Sequence, residues 1–566
     1  MRDVLRELAA RLRAARRHAA DHGLPSTLRV LAARPRDPRT PGDGSYRRWL
    51  AGRPAPAPPP ARAPRLSLLV PVRDPPPGCL SLLLDSLRSQ TWADWELLLC
   101  DDDSRASPTA QELARAAAAD ARVRVLGAPA RGIAAATNAA AAAATGDVLL
   151  LVDHDDALAP GALGAVARAF AEDDALELLT TDADELDGAG VRVAPQLRPG
   201  PSPWLALGFN YAPHLLAVRR RLWHRLDGLR PEFDGAQDHD LLLRGLEQAA
   251  RARHLRAITY HWRRAPGSVA RHAAAKDWAF EAGRRAVADA CRRRGLRVSD
   301  IRAGARPGTW ELVPMHRSEP LACDVVLRGP ERGIAAWQLL LSLEPLRSLL
   351  RARVTCRNVF PDAPSDPPRP LLLIHAALRP ESAPLQALLD WSGLPGWGAL
   401  AASPADARRR ADCGWSVARN GRAEPLLAGL PLGAAGPGLL AACAREVGAA
   451  GGGLLLVEPP PAWWWRAAAR APATLAGELV LSLAHAIERR PCVWLPSVSP
   501  RWGAGPLPRP APVDLSLAAG WAHVRATLPD DFWQDGADRF APRHELLAPL
   551  GLPAPLSALQ SGITSV

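Results

Sequence analysis

From Arg65 onward, short apolar runs alternate with longer amphipathic stretches. Arg65-Leu-Ser-Leu-Leu-Val-Pro71 reads as a buried strand and residues 79–89 as a helix. Trp95–Cys100 is a second strand, residues 108–120 a helix, and Arg122–Leu126 a third strand. Residues 133–144 form an Ala-rich helix, Asp147–Val152 a fourth strand, and residues 161–171 another helix. Unbroken apolar runs suit strands covered on both faces. Their alternation with helices predicts an α/β fold around a largely parallel sheet. Ligands of such sheets bind beyond the carboxyl ends of the strands. Asp101-Asp-Asp-Ser104 and Asp153-His-Asp-Asp156 stand at two of those ends, so both are expected in one crevice.

The flanks differ. Leu5, Leu8, Leu12 and Ala15 recur at helical spacing among Arg6, Arg11, Arg13, Arg16 and Arg17. This predicts a basic helix, which either packs on the neighbouring domain or lies on a membrane surface. Residues 52–64 are a Pro/Ala linker of extended character. A chain of 566 residues exceeds one compact core. Three parts follow: an extension and linker over 1–64, a first domain over 65–304, and a second over 305–566.

Composition narrows the classes. The net charge is +12, but Lys276 is the single lysine and the arginines are spread along the chain. Such dispersed charge reflects compositional bias, and no nucleic-acid partner is expected; an anionic substrate or membrane surface explains it as well. The eight cysteines include no CxxC pair and no zinc spacing, as expected of free thiols in a reducing compartment. No apolar signal region follows the first basic residues, and no run of ~20 apolar residues occurs. The expected location is cytoplasmic, peripheral at the inner membrane surface if the basic helix binds lipid.

Three carboxylates in four positions, Asp153, Asp155 and Asp156, repel one another, and a hard divalent cation with oxygen ligands would offset that repulsion. One of them alone would serve as a helix cap. Asp101 and Asp102 suit either a nucleoside contact or an Asx turn. Asp238, in Gly235-Ala-Gln-Asp-His-Asp240, opens an amphipathic helix as either a cap or a general base at the crevice mouth. His261, in Tyr260-His-Trp-Arg263, suits a packed core position or a ligand.

The order of these pieces resembles family 2 glycosyltransferases of the bacterial O-antigen and cell-surface-polysaccharide branch. The matching segments are Leu68–Asp74, Leu87–Trp92, Asp101–Ser104, Gly132–Asn138, Thr145–Asp147, Leu150–Asp156, Gly235–Leu241 and Tyr260–Arg263, with Tyr46–Trp49 ahead of them. The resemblance implies a GT-A fold and an inverting transfer from a nucleotide-diphosphate sugar to a glycan or lipid-linked acceptor. It implies that Asp153 and Asp155, with Asp156 nearby, hold Mg2+ or Mn2+ against the donor diphosphate. Pro71, Val72, Asp101 and Asp102 would contact the nucleoside, Asn138 and His261 the nucleotide sugar, and Asp238 would deprotonate the acceptor. Gln237 stands where many relatives carry an acid, and Thr137 where some carry Arg.

Beyond residue 305 the pattern returns in faded form. Leu371–Pro380 aligns with Leu149–Pro160, but Ala376 and Ala377 replace carboxylates. Ala444–Val457, Glu478–Arg490 and Val493–Pro496 resemble later elements of the same fold, which predicts a second, non-catalytic GT-A-like domain. Trp463–Trp465 suits a sugar or lipid headgroup, or a core. The competing class is a non-catalytic nucleotide- or glycan-binding component of a polysaccharide assembly complex. Retention of Asp153, Asp155 and Asp238 argues for an enzyme.

Overall fold

The computed structural model describes chiefly residues 62–328, apart from short connections and the 264–276 segment. Beyond these it describes 350–355, 370–375, 378–379, 382–395, 399–402, 454–457, 492–494 and 501–502. The expected basic helix, most of the linker, Tyr46–Trp49, Ala376, Ala377, Trp463–Trp465 and the 478–490 helix lie outside the described residues.

The first elements follow the apolar pattern: β1 (Leu66–Val72), α1 (Cys79–Arg88), β2 (Trp95–Asp102), α2 (Ser107–Ala119), β3 (Val123–Ala128), α3 (Ile133–Ala143) and β4 (Val148–Leu151). After the short β5 (Ala157–Leu158) come α4 (Ala162–Ala171), the long β6 (Leu176–Leu186), β7 (Arg192–Gln196) and the one-turn α5 (Pro203–Ala206). Then follow β8 (Ala217–Arg219), α6 (Arg220–Arg225), α7 (Gln237–Gln248), the long β9 (Arg251–Arg263) and α8 (Asp277–Arg293). The hairpin β10 (Val298–Ala303) and β11 (Trp310–Pro314) ends this unit. Leu312 is buried in the same core cluster and Trp310 packs against it, as do Leu394 and Trp391 from further along the chain.

The sheet runs β3-β2-β1-β4-β8-β6-β9-β5, with β7 on β6. Strands β1 to β4 pair in parallel, as expected. β8 is antiparallel to both β4 and β6, and β6 and β9 are parallel again, so the sheet is mixed. Register sets the crevice: Val72 pairs with Asp101, which brings the ends of β1 and β2 side by side. Both faces are covered, and Leu66, Leu68, Leu69, Leu97, Leu98 and Leu99 are all fully buried.

One buried acid explains the Thr145-Gly146 pair. Glu96 accepts hydrogen bonds from Ser67 Oγ (2.7 Å), Thr145 Oγ1 (2.8 Å), and the backbone N–H groups of Thr145 (2.5 Å) and Gly146 (3.1 Å). Burial acts to raise its pKa, but these donors outweigh it and hold the carboxyl below its usual range. A side chain at position 146 would strike Ser67 Oγ at 2.6 Å and the Arg65 carbonyl at 2.8 Å, so only glycine fits.

The second half carries β12 (Leu321–Arg328), β13 (Leu350–Thr355), β14 (Leu371–His375), β15 (Leu378–Arg379), α9 (Ser382–Ser392), β16 (Ala399–Ala402), β17 (Leu454–Val457), β18 (Cys492–Trp494) and β19 (Arg501–Trp502). Its main sheet runs β13-β12-β14-β17-β16-β18. The pairings are parallel, parallel, antiparallel, antiparallel and parallel. That sequence of directions, in the same spatial order, is that of β2-β1-β4-β8-β6-β9. Even the short β15, antiparallel to β19, repeats β5 against β9. The described strands of the second half thus repeat the strand order of the first sheet. Among the described residues, no helix is long and apolar enough to cross a membrane.

Candidate active site

The end of β4 delivers Asp153 into the crevice, and β9 holds the cluster there. The Tyr260 hydroxyl accepts the backbone N–H of Asp153 (3.1 Å) and donates to Asp156 Oδ2 (2.7 Å). Asp156 Oδ1 accepts the Arg263 backbone N–H (2.8 Å). His154 turns back and donates from Nδ1 to the Pro71 carbonyl (3.0 Å), tying the loop to the end of β1. The acids raise one another. Desolvation within the crevice, then the charges of Asp155 and Asp238, push the Asp153 carboxyl up to about 7, although its side chain is half exposed. Burial, then Asp153 and Asp155, raise Asp156 as well. Carboxylates that raise one another in a crevice mark a candidate functional site.

The third member is His214. One ligand atom from each of Asp153, Asp156 and His214 lies within 4.8 Å of the others. Oxygens bound to one Mg2+ or Mn2+ sit about 2 Å from it, so donors across the ion stand about 4 Å apart, and a small inward shift would close the group. Asp156 uses one lone pair on each oxygen for its present partners and keeps another for an ion. A mixed oxygen and imidazole set suits Mn2+ better than Mg2+. Asp155 is near enough to raise both neighbours but contributes no atom to this group. His214 Nδ1 is 3.8 Å from Asp153 Oδ2, and its ring stacks on Tyr260 (5.0 Å between centroids) and Trp262 (6.1 Å). Nothing in Asn210-Tyr-Ala-Pro-His214 marks it as a ligand, because its partners arrive from β4 and β9.

The other expected residues divide. Asp238 lies in the first turn of α7, close enough for its charge to raise Asp153. Asp101 Oδ1 accepts the Ser104 N–H (3.0 Å), an Asx-type turn at the end of β2. Asp102 Oδ1 accepts the Arg131 N–H (3.0 Å), and its Oδ2 is 3.5 Å from Arg73 Nη1. Both stand beside Pro71 and Val72, as the crevice requires. Asn138 braces the scaffold, since its Nδ2 donates to the Leu229 carbonyl (2.7 Å) and its Oδ1 accepts the Leu229 N–H (2.9 Å). His261 is buried with Nδ1 against Asp184, whose Oδ2 also accepts Arg192 Nε (2.7 Å), so one side of its ring is committed to the core. The residues described include four buried, free cysteines: Cys79, Cys100, Cys291 and Cys323.

The mixed sheet, with an acidic cluster beyond a strand end and a carboxylate in the first turn of α7, is of the GT-A type. Residues 67–212 match the model of Glycosyl transferase family 2. Over 276 residues the chain is 40% identical to the O-antigen biosynthesis protein RfbC of Myxococcus xanthus, covering 47% of this chain and 22% of that protein. It is 28% identical over 204 residues to the hyaluronan synthase of Pasteurella multocida, covering 35% of this chain and 20% of that one. These matches span less than a third of either relative's length. Among solved structures, S. aureus TarS 1-349 in complex with UDP-GlcNAc is 18% identical with a TM-score of 0.33, covering 40% of this chain and 66% of that one. GalNAc-T7 with UDP, GalNAc and Mn2+ is 15% identical with a TM-score of 0.32, covering 36% and 44%.

Proposed function

We propose that the first domain transfers a sugar, with inversion, from a nucleotide-diphosphate donor to a hydroxyl of a glycan or lipid-linked acceptor in surface-polysaccharide synthesis. The observation that carries this reading is the convergence of Asp153, Asp156 and His214 in one group, with Asp238 facing it. Asp153, Asp156 and His214 would hold Mn2+ or Mg2+, with Asp155 as an outer carboxylate. The ion, when bound, neutralises charge on the departing diphosphate. Pro71, Val72, Asp101 and Asp102 line the neighbouring strand ends, where the nucleoside would lie. Asp238 accepts the proton of the acceptor hydroxyl as that oxygen attacks C1 of the donor sugar. The C1–oxygen bond to phosphate breaks, and its electron pair leaves with the nucleoside diphosphate. One displacement inverts the anomeric carbon. The name of the Myxococcus relative supports an O-antigen-like product. A cytoplasmic site at the inner membrane face would suit a lipid-linked acceptor.

The test is a thermal-shift panel of UDP, dTDP, GDP and CDP, each with Mn2+ or EDTA, on wild type and Asp153→Ala. A metal-dependent rise with one nucleotide, absent in the variant, is the expected outcome. No rise with any nucleotide at millimolar concentration would replace this reading with a non-catalytic glycan-binding role.

A further inference from the structure

The carboxylate of Asp238 is not left to find its own orientation. Its Oδ1 accepts the backbone N–H of His239 (2.8 Å), and its Oδ2 accepts Nδ2–H of Asn210 (2.7 Å). Asn210 cannot present its other end, because Oδ1 accepts the Ala212 N–H (3.3 Å) and only the amide nitrogen then faces the carboxylate. Two donors, one to each oxygen, fix the plane of the carboxylate.

Asn210 is itself anchored. It lies between α5 and β8, where Leu207, Tyr211 and Ala212 are buried. The carbonyl of Gly208 accepts the Trp310 N–H (2.7 Å), Phe209 bridges to Thr309, and the carbonyl of Ala206 accepts Nε2–H of His239 (2.7 Å). Trp310 also stacks on the His239 ring, with centroids 5.2 Å apart. Four residues after Asn210, the same stretch presents His214 to Asp153. A single braced strip thus reaches both the acidic cluster and the carboxylate opposite it.

We propose that Asn210 is a positioning residue for proton abstraction: it holds the Asp238 carboxylate aimed at the acceptor oxygen while keeping its own protons. The proposal rests on the reading of Asp238 as the base. In the step, the acceptor proton passes to Asp238, the acceptor oxygen bonds to C1, and the leaving diphosphate takes the electron pair.

The test uses the full chain and water as the acceptor. Release of nucleoside diphosphate is followed with UDP-glucose, UDP-N-acetylglucosamine, GDP-mannose and dTDP-rhamnose, each with Mn2+. Asn210→Leu, close in size but without the donor, and the smaller Asn210→Ala are compared with Asp238→Asn and with the double variant Asn210→Leu/Asp238→Asn. The unliganded melting temperature and the shift given by the same donor report folding and donor binding. The expected result is a kcat about ten- to a hundredfold lower in both Asn210 variants, as for loss of a hydrogen bond to a charged group. The donor KM and donor-induced shift stay within twofold, and the double variant is no slower than Asp238→Asn alone. Full-rate release by both Asn210 variants, or losses that multiply in the double variant, overturns the proposal while the base reading stands. Full-rate release by Asp238→Asn, or none by wild type with any donor, overturns both.

Discussion

In the first sheet, Val152–Asp156 connects β4 to β5 and carries three carboxylates. In the second, Ala376 and Ala377 alone connect β14 to β15. The strand orders match, but the carboxylates do not recur. The reason is physical. Strand order is held by many apolar contacts and backbone bonds spread over the sheet, and it tolerates gradual change. A divalent-ion site depends on a few charged atoms at short range, and losing one leaves the others repelling without compensation. His375 closes β14 with no carboxylate in the three residues that follow it.

This contrast can be broken experimentally. The largest effect belongs to Asp153→Ala, which should weaken Mn2+-dependent nucleotide binding at least a hundredfold in a titration, while His375→Ala changes it less than twofold. Equal losses in the two variants would mean that the second domain binds the ion as well. Next in size, Leu69→Ala, in the centre of the first sheet, should cost about 2–5 kcal/mol in urea unfolding. A much smaller cost would show that this core relaxes around the cavity.

The smallest effect is pH-dependent. Burial acts to raise the pKa of Glu177, but bonds from Arg225, the Ala250 N–H and Arg221 hold it at about 2. Because the folded value lies below the ordinary one, its stabilisation is complete above about pH 4.5 and fades as pH falls toward 2. Glu177→Gln should therefore cost about 1–3 kcal/mol at pH 7, allowing for the half-exposed arginines, with the gap to wild type closing in acid. A gap that is constant with pH would assign the effect to packing.

The parallel half of the sheet was legible because its strands are continuous apolar runs that stop at aspartates. Expected edges agree within a residue or two, as with Arg122–Leu126 against Val123–Ala128. The long β9 was harder to read, because Arg251-Ala-Arg-His-Leu-Arg256 carries charge along a half-buried strand. Within the site, local pattern revealed the acids but not their partners. Asn210 is 28 positions from Asp238, and His214 owes its place to β4 and β9, so their meeting is a property of tertiary packing. Asn138, expected at the nucleotide sugar, shows the converse: a motif residue whose amide is spent on the Leu229 backbone.

The bracing of Gly208 by Trp310 bears on how such units could be shuffled between genes. A recombination joint just after Ala303 would carry away the strand that braces Asn210, together with the buried Leu312. A transplanted domain ending there would keep every acidic motif and lose the brace behind Asn210, the hydrogen-bond partner of Asp238. The strip that carries Asn210 and His214 is braced as far along the chain as Trp310, beyond the last residue that the motifs themselves would mark.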